Sequence, residues 1–172
     1  MKKMMIALLA VLLLATPAFA EVKIAYVNLQ KALNDSVAGA QAKSEIAAQA
    51  KEYETEFKIK QDKFLKLKNE LEKQGALLSD NAKAEKIKEY QTQVASLQKF
   101  QTDARRKLQE EDGKRTQAIL KELSAILQKF GKDGKYTMIV EKSEGGLIYV
   151  DSNVIDLTVP LIEAYDASKK KK

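Results

Sequence analysis

The sequence predicts an α+β chain, mainly α, in which a long antiparallel coiled-coil helical hairpin arm stands on a small β body. Residues 41–130 contain no proline and are rich in Lys, Glu, Gln and Ala. Apolar residues recur in this stretch in steps of four and three, which is typical of a coiled-coil seam. Runs of strand-forming residues lie before and after it, in residues 21–28 and 136–150.

The first twenty residues have the pattern of a secretory signal. Lys2 and Lys3 precede an apolar run over residues 4–14, and Ala18-Phe19-Ala20 offers a small-x-small cleavage site. A membrane-spanning helix needs about 20 apolar residues, so we expect cleavage before Glu21, with a retained anchor as the alternative. Residue 21 is not a cysteine, which argues against a lipoprotein. The sequence therefore predicts an exported chain that is soluble outside the inner membrane.

The N-terminal part of the body is predicted over residues 21–40. Residues 21–28 form one strand, and Leu29 to Asn34 form a short helical turn. Asp35 and Ser36 are good N-cap residues for the helix that follows.

The arm is predicted over residues 41–130, with its turn near 75–81, where Gly75 and several turn-forming residues cluster. Its two helices, 41–74 and 82–130, would be about 50 Å and 70 Å long at the usual rise per residue. The seam residues are Ile46, Ala50, Tyr53, Phe57, Phe64, Leu67, Leu71 and Leu78 before the turn, and Ile87, Tyr90, Val94, Leu97, Ala104 and Leu108 after it.

Residues 109–118 interrupt this seam. They include Gly113 and no large apolar side chain. A step of eleven residues locally unwinds a left-handed supercoil, so the hairpin could bend or splay there. A helix that continues without interruption is the alternative.

The C-terminal part of the body is predicted over residues 131–168. Strands at 136–141 and 147–150 flank the glycine-containing segment 142–146, which predicts a β-hairpin. A closing helix follows, with Asp156 or Thr158 as its cap and Pro160 in its first turn. Residues 169–172 are all lysine and are predicted to be a disordered tail.

The charge of the chain is concentrated in one segment. The formal net charge is +6, but residues 21–168 are neutral, with 24 basic and 24 acidic side chains. Residues 58–107 carry 13 basic and 7 acidic side chains, a net +6, and we call them the basic segment. The high pI thus indicates a positive patch on a neutral body rather than a nucleic-acid-binding protein.

The chain has no histidine and no cysteine. These residues supply the usual zinc and haem ligands, the thiol nucleophile and the commonest acid–base group near neutral pH. Carboxylates and lysines remain, but no motif arranges them as a site. The sequence predicts no catalytic residue, no cofactor and no metal, and hence a protein that is not an enzyme.

The strands of the body are too few to bury their apolar side chains in one chain. An isolated two-stranded hairpin is marginally stable at best. Several copies could pool their strands into one closed sheet, which would also remove exposed edges. Composition alone does not give the number of copies.

At this point the chain resembles the Skp/OmpH family of periplasmic chaperones, over essentially the whole mature sequence. The residues that carry the resemblance are KIAYVNLQKAL at 23–33, DARRKLQEEDGK at 103–114 and YTMIVEKSEGGLIYVDSNVIDLTVPLIEAYD at 136–166. The resemblance implies a homotrimer whose β body closes into a barrel and whose three hairpin arms enclose a cavity. It also implies that unfolded outer-membrane proteins are held there without nucleotide hydrolysis.

Candidate client contacts are apolar residues of the arm that lie off the predicted seam; scattered surface hydrophobes are the alternative interpretation. A second group follows from the resemblance, because Arg105 and Arg106 match the paired arginines of the family's proposed lipopolysaccharide site. The chain is about one residue shorter before this pair than the family pattern, and a solvated helix face beside Glu110 and Glu111 is the alternative. The candidates are Ile59, Leu65, Leu77 and Phe100 for clients, and Arg105, Arg106, Lys99 and Lys107 for lipopolysaccharide or anionic lipid.

Two other functions stay open on the sequence. One is a structural or adaptor coiled-coil protein that bridges envelope components and holds no clients. The other is a shuttle that binds lipopolysaccharide or anionic lipid through the basic residues of the arm.

Overall fold

The computed structural model describes residues 22–74, 77–142 and 146–170. The predicted signal peptide, Gly75 in the predicted turn, most of the predicted 142–146 turn and the last two lysines lie outside these residues. The elements, in chain order, are strand β1 (Ile24–Val27), helices α1 (Leu29–Asp35), α2 (Val37–Gln74) and α3 (Asp80–Asp133), strands β2 (Met138–Glu141) and β3 (Ile155–Asp156), and helix α4 (Thr158–Lys169).

Helices α2 and α3 pack against each other as an antiparallel pair, which we call the hairpin. Across it, Glu45 pairs with Arg115 near the sheet and Glu70 pairs with Lys86 near the tip. With 38 and 54 residues, α2 and α3 are about 57 Å and 81 Å long. This confirms the predicted long helical pair.

Side chains cap the start of each long helix. Ser36 Oγ accepts a hydrogen bond from the backbone N–H of Gly39 at 3.2 Å, and Ser79 accepts from Ala82 N–H at 3.4 Å. Asp166 of α4 also accepts from the N–H of Val37 at 3.0 Å. The sequence placed a candidate cap at Ser36, but the arm's first helix begins at Val37 rather than near Gln41.

Helix α3 continues through Gly113 without interruption. Of the two alternatives for residues 109–118, the structure therefore shows the continuous helix. Two surface cavities lie beside the hairpin near Gly113. The larger has a volume of about 450 Å³ and lies between α2, α3 and α4, beside Ala42, Arg115 and Tyr165.

The sheet has three strands in the order β2-β1-β3, and both pairings are parallel. The predicted β-hairpin of 136–141 with 147–150 is wrong. Its first strand exists as β2, but β2 pairs with β1, and residues 146–150 form no strand. The strand that completes the sheet, β3, contains Ile155 and Asp156 instead.

The core lies where α3 crosses the sheet and meets α1 and α4. Tyr165 and Leu161 of α4 are 1 % and 0 % exposed. The other buried members of the cluster are Val27, Ala32, Ile119 and Leu123. This core fixes the base of the hairpin, so the two long helices project from a packed end.

The C-terminal helix extends into the predicted tail. Lys169 is its last residue, and its Nζ lies 2.5 Å from Glu122 Oε2 and 5.2 Å from the Tyr165 ring centroid. The prediction of disorder is therefore wrong at Lys169, because this side chain finds an anion and an aromatic ring on the packed end. Among the described helices, none combines the length and the apolar character that a membrane span requires.

Candidate functional site

The basic segment occupies the outer part of the hairpin, and aromatic rings hold its two helices together. Tyr53 and Phe100 meet edge to face with centroids 6.1 Å apart, and Phe64 and Tyr90 meet at 5.1 Å. Such contacts add stabilisation beyond the apolar area that they bury. The rings of Tyr53, Phe64 and Tyr90 therefore belong to the seam, as the heptad spacing predicts.

The sequence placed Phe100 off the seam, but in the structure Phe100 belongs to the seam. Its ring packs on Tyr53, and its side chain is half-buried. Gln101, which stands at the heptad position between the seam residues Leu97 and Ala104, is exposed. The drift of an α-helix relative to a strict seven-residue repeat moves the aromatic side chain into contact and the amide out of it. One face of Phe100 still borders a surface groove.

The other three apolar candidates are exposed on the hairpin. The exposed fractions are 53 % for Ile59, 44 % for Leu65 and 86 % for Leu77. Ile59 and Leu65 are six residues apart on α2, so they flank the seam on opposite sides. Leu77 lies in the connection between α2 and α3, at the tip of the hairpin.

Ile87 joins this exposed set, although the sequence placed it in the seam. It is 41 % exposed. The preceding residue, Lys86, is half-buried and reaches across to Glu70 at 2.8 Å. A lysine can cover a helix interface with its aliphatic stem, which is how Lys86 replaces Ile87 at the contact.

Arg105 and Arg106 project in different directions, because consecutive helical residues are about 100° apart. Arg106 pairs with Glu110 at 2.9 Å and with Asp103 at 3.6 Å. The hydrogen bond to Glu110, followed by its charge, raises the pKa of Arg106. Arg105 is exposed and has no ion pair within the described ranges. Only one arginine of the pair is therefore available to an incoming phosphate.

Lys99 and Lys107 line a groove that neither arginine of the pair lines. Together with Lys60 they surround Phe100 on one side of the hairpin, along this groove of about 240 Å³. Lys99 donates to Asp103 at 3.0 Å, and this hydrogen bond, the largest cause, lowers the pKa of Asp103. Of the four predicted basic candidates, Lys99 and Lys107 thus line the groove, and Asp103 links Lys99 to Arg106.

No group of acidic side chains in the described part of the chain is arranged to hold a metal ion. Glu110 and Glu111, the start of the acidic run, bind Arg106 and Lys114 instead.

A comparison with protein families matches residues 23–165 to OmpH-like outer membrane proteins. This match covers the chain from β1 to the buried Tyr165 of α4. The chain belongs to the OmpH-like family. The resemblance that the sequence motifs indicated is thereby confirmed.

A solved structure shares the fold of this OmpH-like chain. It is the crystal structure of a candidate OmpH-like outer membrane chaperone from Caulobacter crescentus CB15, with a TM-score of 0.78 and 13 % sequence identity. The alignment covers 90 % of this chain and 89 % of that chain. The comparison with curated proteins gave no match.

Lys60 is the residue of the groove beside Phe100 that sequence reasoning missed. It fills a slot in a heptad series that is mostly apolar, and a lysine at such a position was the available signal. Its Nζ lies 5.2 Å from the Phe100 centroid, so it contributes a cation to the surface and a stem to the interface.

Proposed function

We propose that this OmpH-like protein is an ATP-independent periplasmic chaperone that holds unfolded outer-membrane β-barrel proteins between the arms of a homotrimer. The observation that carries the proposal is the set of exposed apolar side chains spread along a basic hairpin in a chain of this family. The mechanism is binding and release, with no bond made or broken.

The spacing of the apolar side chains suits an unfolded client. Ile59, Leu65 and Leu77 are distributed along the outer hairpin, and all three are exposed. Outer-membrane strands alternate apolar and polar residues, so a holder needs repeated weak apolar contacts rather than one deep site. Weak distributed contacts also allow release, because no single contact dominates the affinity.

The charge of the outer hairpin supports capture of acidic clients. The basic segment carries a net +6, whereas the rest of residues 21–168 carries a net −6. Three arms would place this positive potential around one cavity. Electrostatic attraction chiefly raises the rate of encounter and falls as salt is added.

The sheet supports assembly of several copies. Its outer strands β2 and β3 have open edges, and Ile148 and Tyr149 beside them are 101 % and 78 % exposed. Open edges with apolar neighbours are surfaces that proteins normally cover. The trimer number rests on the family resemblance, and the periplasmic location rests on that resemblance together with the predicted N-terminal signal.

The client contacts can be tested by changing three side chains together. Ile59, Leu65 and Leu77 would all be replaced by Gln, and in a matched control by Met, which keeps the apolar character and helix propensity. Aggregation of a urea-diluted outer-membrane barrel is followed by light scattering with either variant present. We expect the Met variant to protect the client like the wild type and the Gln variant to need several times more protein. Equal protection by both would contradict apolar holding by these residues.

A lipopolysaccharide or anionic-lipid partner is the second candidate, and the unpaired Arg105 is the observation that favours it. We expect Arg105→Glu to weaken binding to anionic vesicles more than Arg106→Glu does, since Arg106 already binds Glu110 and Asp103. Equal effects of the two reversals would indicate attraction by overall charge alone. Client holding should survive both changes.

A further inference from the structure

A groove on one side of the hairpin combines an aromatic floor with a rim of lysines. It lies between α2 and α3 and has a volume of about 240 Å³. Tyr53, Phe100 and Ala104 form the floor, and Lys60, Lys99 and Lys107 stand around it. Lys60 and Tyr53 come from α2, and the other four come from α3.

The floor is shaped to accept a ring. Tyr53 and Phe100 are both half-buried and meet edge to face at 6.1 Å with an interplanar angle of 76°. The exposed parts of the two rings can pack with a further aromatic side chain, in the offset or edge-on geometries that such rings prefer, beside the Lys60 ammonium that lies 5.2 Å from the Phe100 centroid. Ala104 is small and 9 % exposed, so it leaves the space above the floor open.

The rim supplies cations that are not fully neutralised. Asp103 is the acidic residue of the groove, and Lys99 at 3.0 Å and Arg106 at 3.6 Å already engage it. Lys60 reaches Glu56 only at 3.4 Å, and Lys107 has no ion pair within the described ranges. An incoming carboxylate would therefore meet Lys60 and Lys107 without displacing a short ion pair.

We propose that this groove binds an aromatic side chain of an unfolded client that lies beside a carboxylate in the client sequence. The inference rests on the proposed chaperone function and names the part of the client that the hairpin selects. The ring stacks on Tyr53 and Phe100, and the neighbouring carboxylate pairs with Lys60 and Lys107.

The size of the groove favours a peptide side chain over a lipid. Pockets for drug-sized ligands measure roughly 300–1,000 Å³, and this groove lies below that range. It accommodates one side chain but not the several acyl chains of a lipopolysaccharide. A site of this size contributes weak affinity, which adds up when three arms present one copy each to the same client.

The ligand side of the proposal can be tested with matched peptides. A fluorescent, unstructured peptide carrying one adjacent Asp-Phe pair is titrated with the full mature protein, and anisotropy is measured. Peptides with Asn-Phe or Asp-Ser at the same place are the controls. We expect each control to bind about five- to tenfold more weakly, since one loses the ion pairs and the other the ring. Equal binding of all three peptides would overturn the proposal.

The protein side is tested with a charge-matched pair of variants. Lys60→Gln with Lys107→Gln removes the two available cations of the groove. Lys58→Gln with Lys88→Gln removes the same charge from exposed positions of the basic segment outside it. We expect the first variant to bind the Asp-Phe peptide about tenfold more weakly and the second to bind it like the wild type. An equal loss of peptide affinity in both variants would show that the peptide binds by overall electrostatic attraction and that the groove has no specific role. Circular dichroism melting checks that both variants stay folded.

Two further readouts separate the possible failures. If anionic vesicles displace the peptide and bind the wild type more tightly than the groove variant, while the three peptides do not differ, the groove is a lipid site and the proposal fails. If a whole client is held equally by the wild type and the groove variant, and the peptides bind alike, the groove inference fails but the chaperone function stands. If the wild type holds no client at all, the proposed function itself fails.

Discussion

Tyr165 links the C-terminal helix to the base of the hairpin. Its side chain is 1 % exposed, and its hydroxyl donates a 2.6 Å hydrogen bond to Glu122. Burial, together with this bond and the charge of Glu122, raises the pKa of Tyr165. The hydroxyl therefore stays a protonated donor near neutral pH.

Tyr165→Phe removes this donor and keeps the packed ring. We expect a loss of about 1–2 kcal/mol in the free energy of unfolding, because the bond is to a charged acceptor and Glu122 keeps its contact with Lys169. Denaturant titration at one fixed protomer concentration measures it. Tyr136→Phe is the control. It also removes a tyrosine hydroxyl, and it keeps the Tyr136 ring, whose centroid lies 4.2 Å from Lys23 Nζ. The same loss in both variants would contradict a specific role for the Tyr165 bond.

Asp156 makes the packed end sensitive to acid. Partial burial acts to raise the pKa of Asp156, but hydrogen bonds from Thr158 and Tyr26 and the charge of Lys142 outweigh it, so the pKa lies below its ordinary value of 3.8. A lowered pKa in the folded state contributes stability above the ordinary value, and that stability is lost as pH falls through the folded value.

Asp156→Asn should therefore lower the melting temperature near pH 7, and this difference should shrink as the pH falls below the ordinary pKa of 3.8. The carboxylate is exposed, so we expect the effect near pH 7 to be under about 1 kcal/mol. Asp62→Asn on the exposed face of α2 is the control and should have little effect at either pH. An Asp156→Asn difference that grows in acid would show that the sign is wrong.

At the scale of elements, the two glycines inside the long helices have different surroundings. A Cβ at Gly113 would meet no atom within 4 Å, whereas a Cβ at Gly39 would lie 1.7 Å from the Leu33 carbonyl oxygen. The first glycine is a position where the helix simply continues. The second lets α1 and α2 approach each other closely at the base of the hairpin.

Gly113→Ala should stabilise the protein by about 0.5–1 kcal/mol, because alanine loses less backbone freedom on folding into a helix. Gly39→Ala should destabilise it by about 1–3 kcal/mol or more, because the added methyl forces the backbone apart. Denaturant melts followed by circular dichroism compare the two. A destabilised Gly113→Ala would mean that the chain needs a bend at this level.

The elements also show what sequence can predict here. The heptad pattern and the cluster of turn formers after Gln74 predict α2 and α3, because a coiled-coil pairing is encoded in neighbouring turns of the chain. The same pattern wrongly assigns Ile87 to the seam and Phe100 to the surface outside it. Small drifts in helix phase decide which of two adjacent residues is buried, and a strict seven-residue repeat does not capture them.

The sheet shows where prediction from sequence stops. The run at 147–150 has the residue types of a strand, but β1 pairs in parallel with β2 and β3, more than a hundred residues away along the chain. Local pattern contains no information on such partners. The groove was missed for a related reason, because Lys60 and Lys107 come together only once the register of the hairpin is known.

At the scale of the whole molecule, the packed end has more apolar surface than one chain covers. Ile148 and Tyr149 project into solvent next to strands with open edges. Since these residues have strand-forming chemistry but no strand partner in the single chain, we expect a second copy to cover them. The assembly would then hold the hairpins in a common direction.

Ile148→Asp should dissociate this assembly, because it places a charge in the covered surface. The measurement is molar mass by size-exclusion chromatography with light scattering. Ile59→Asp, a similar change on the hairpin, is the control and should leave the mass unchanged. Two unchanged masses would contradict the role of residues 147–150 in assembly.

The most direct test of the account is the molar mass of the mature protein, first alone and then mixed with an outer-membrane barrel diluted from urea. We predict the mass of three chains, rising by one client that stays in solution. A stable assembly whose mass does not change when the client is added, while the barrel precipitates, would contradict a holding chaperone. That result would favour a structural or adaptor role.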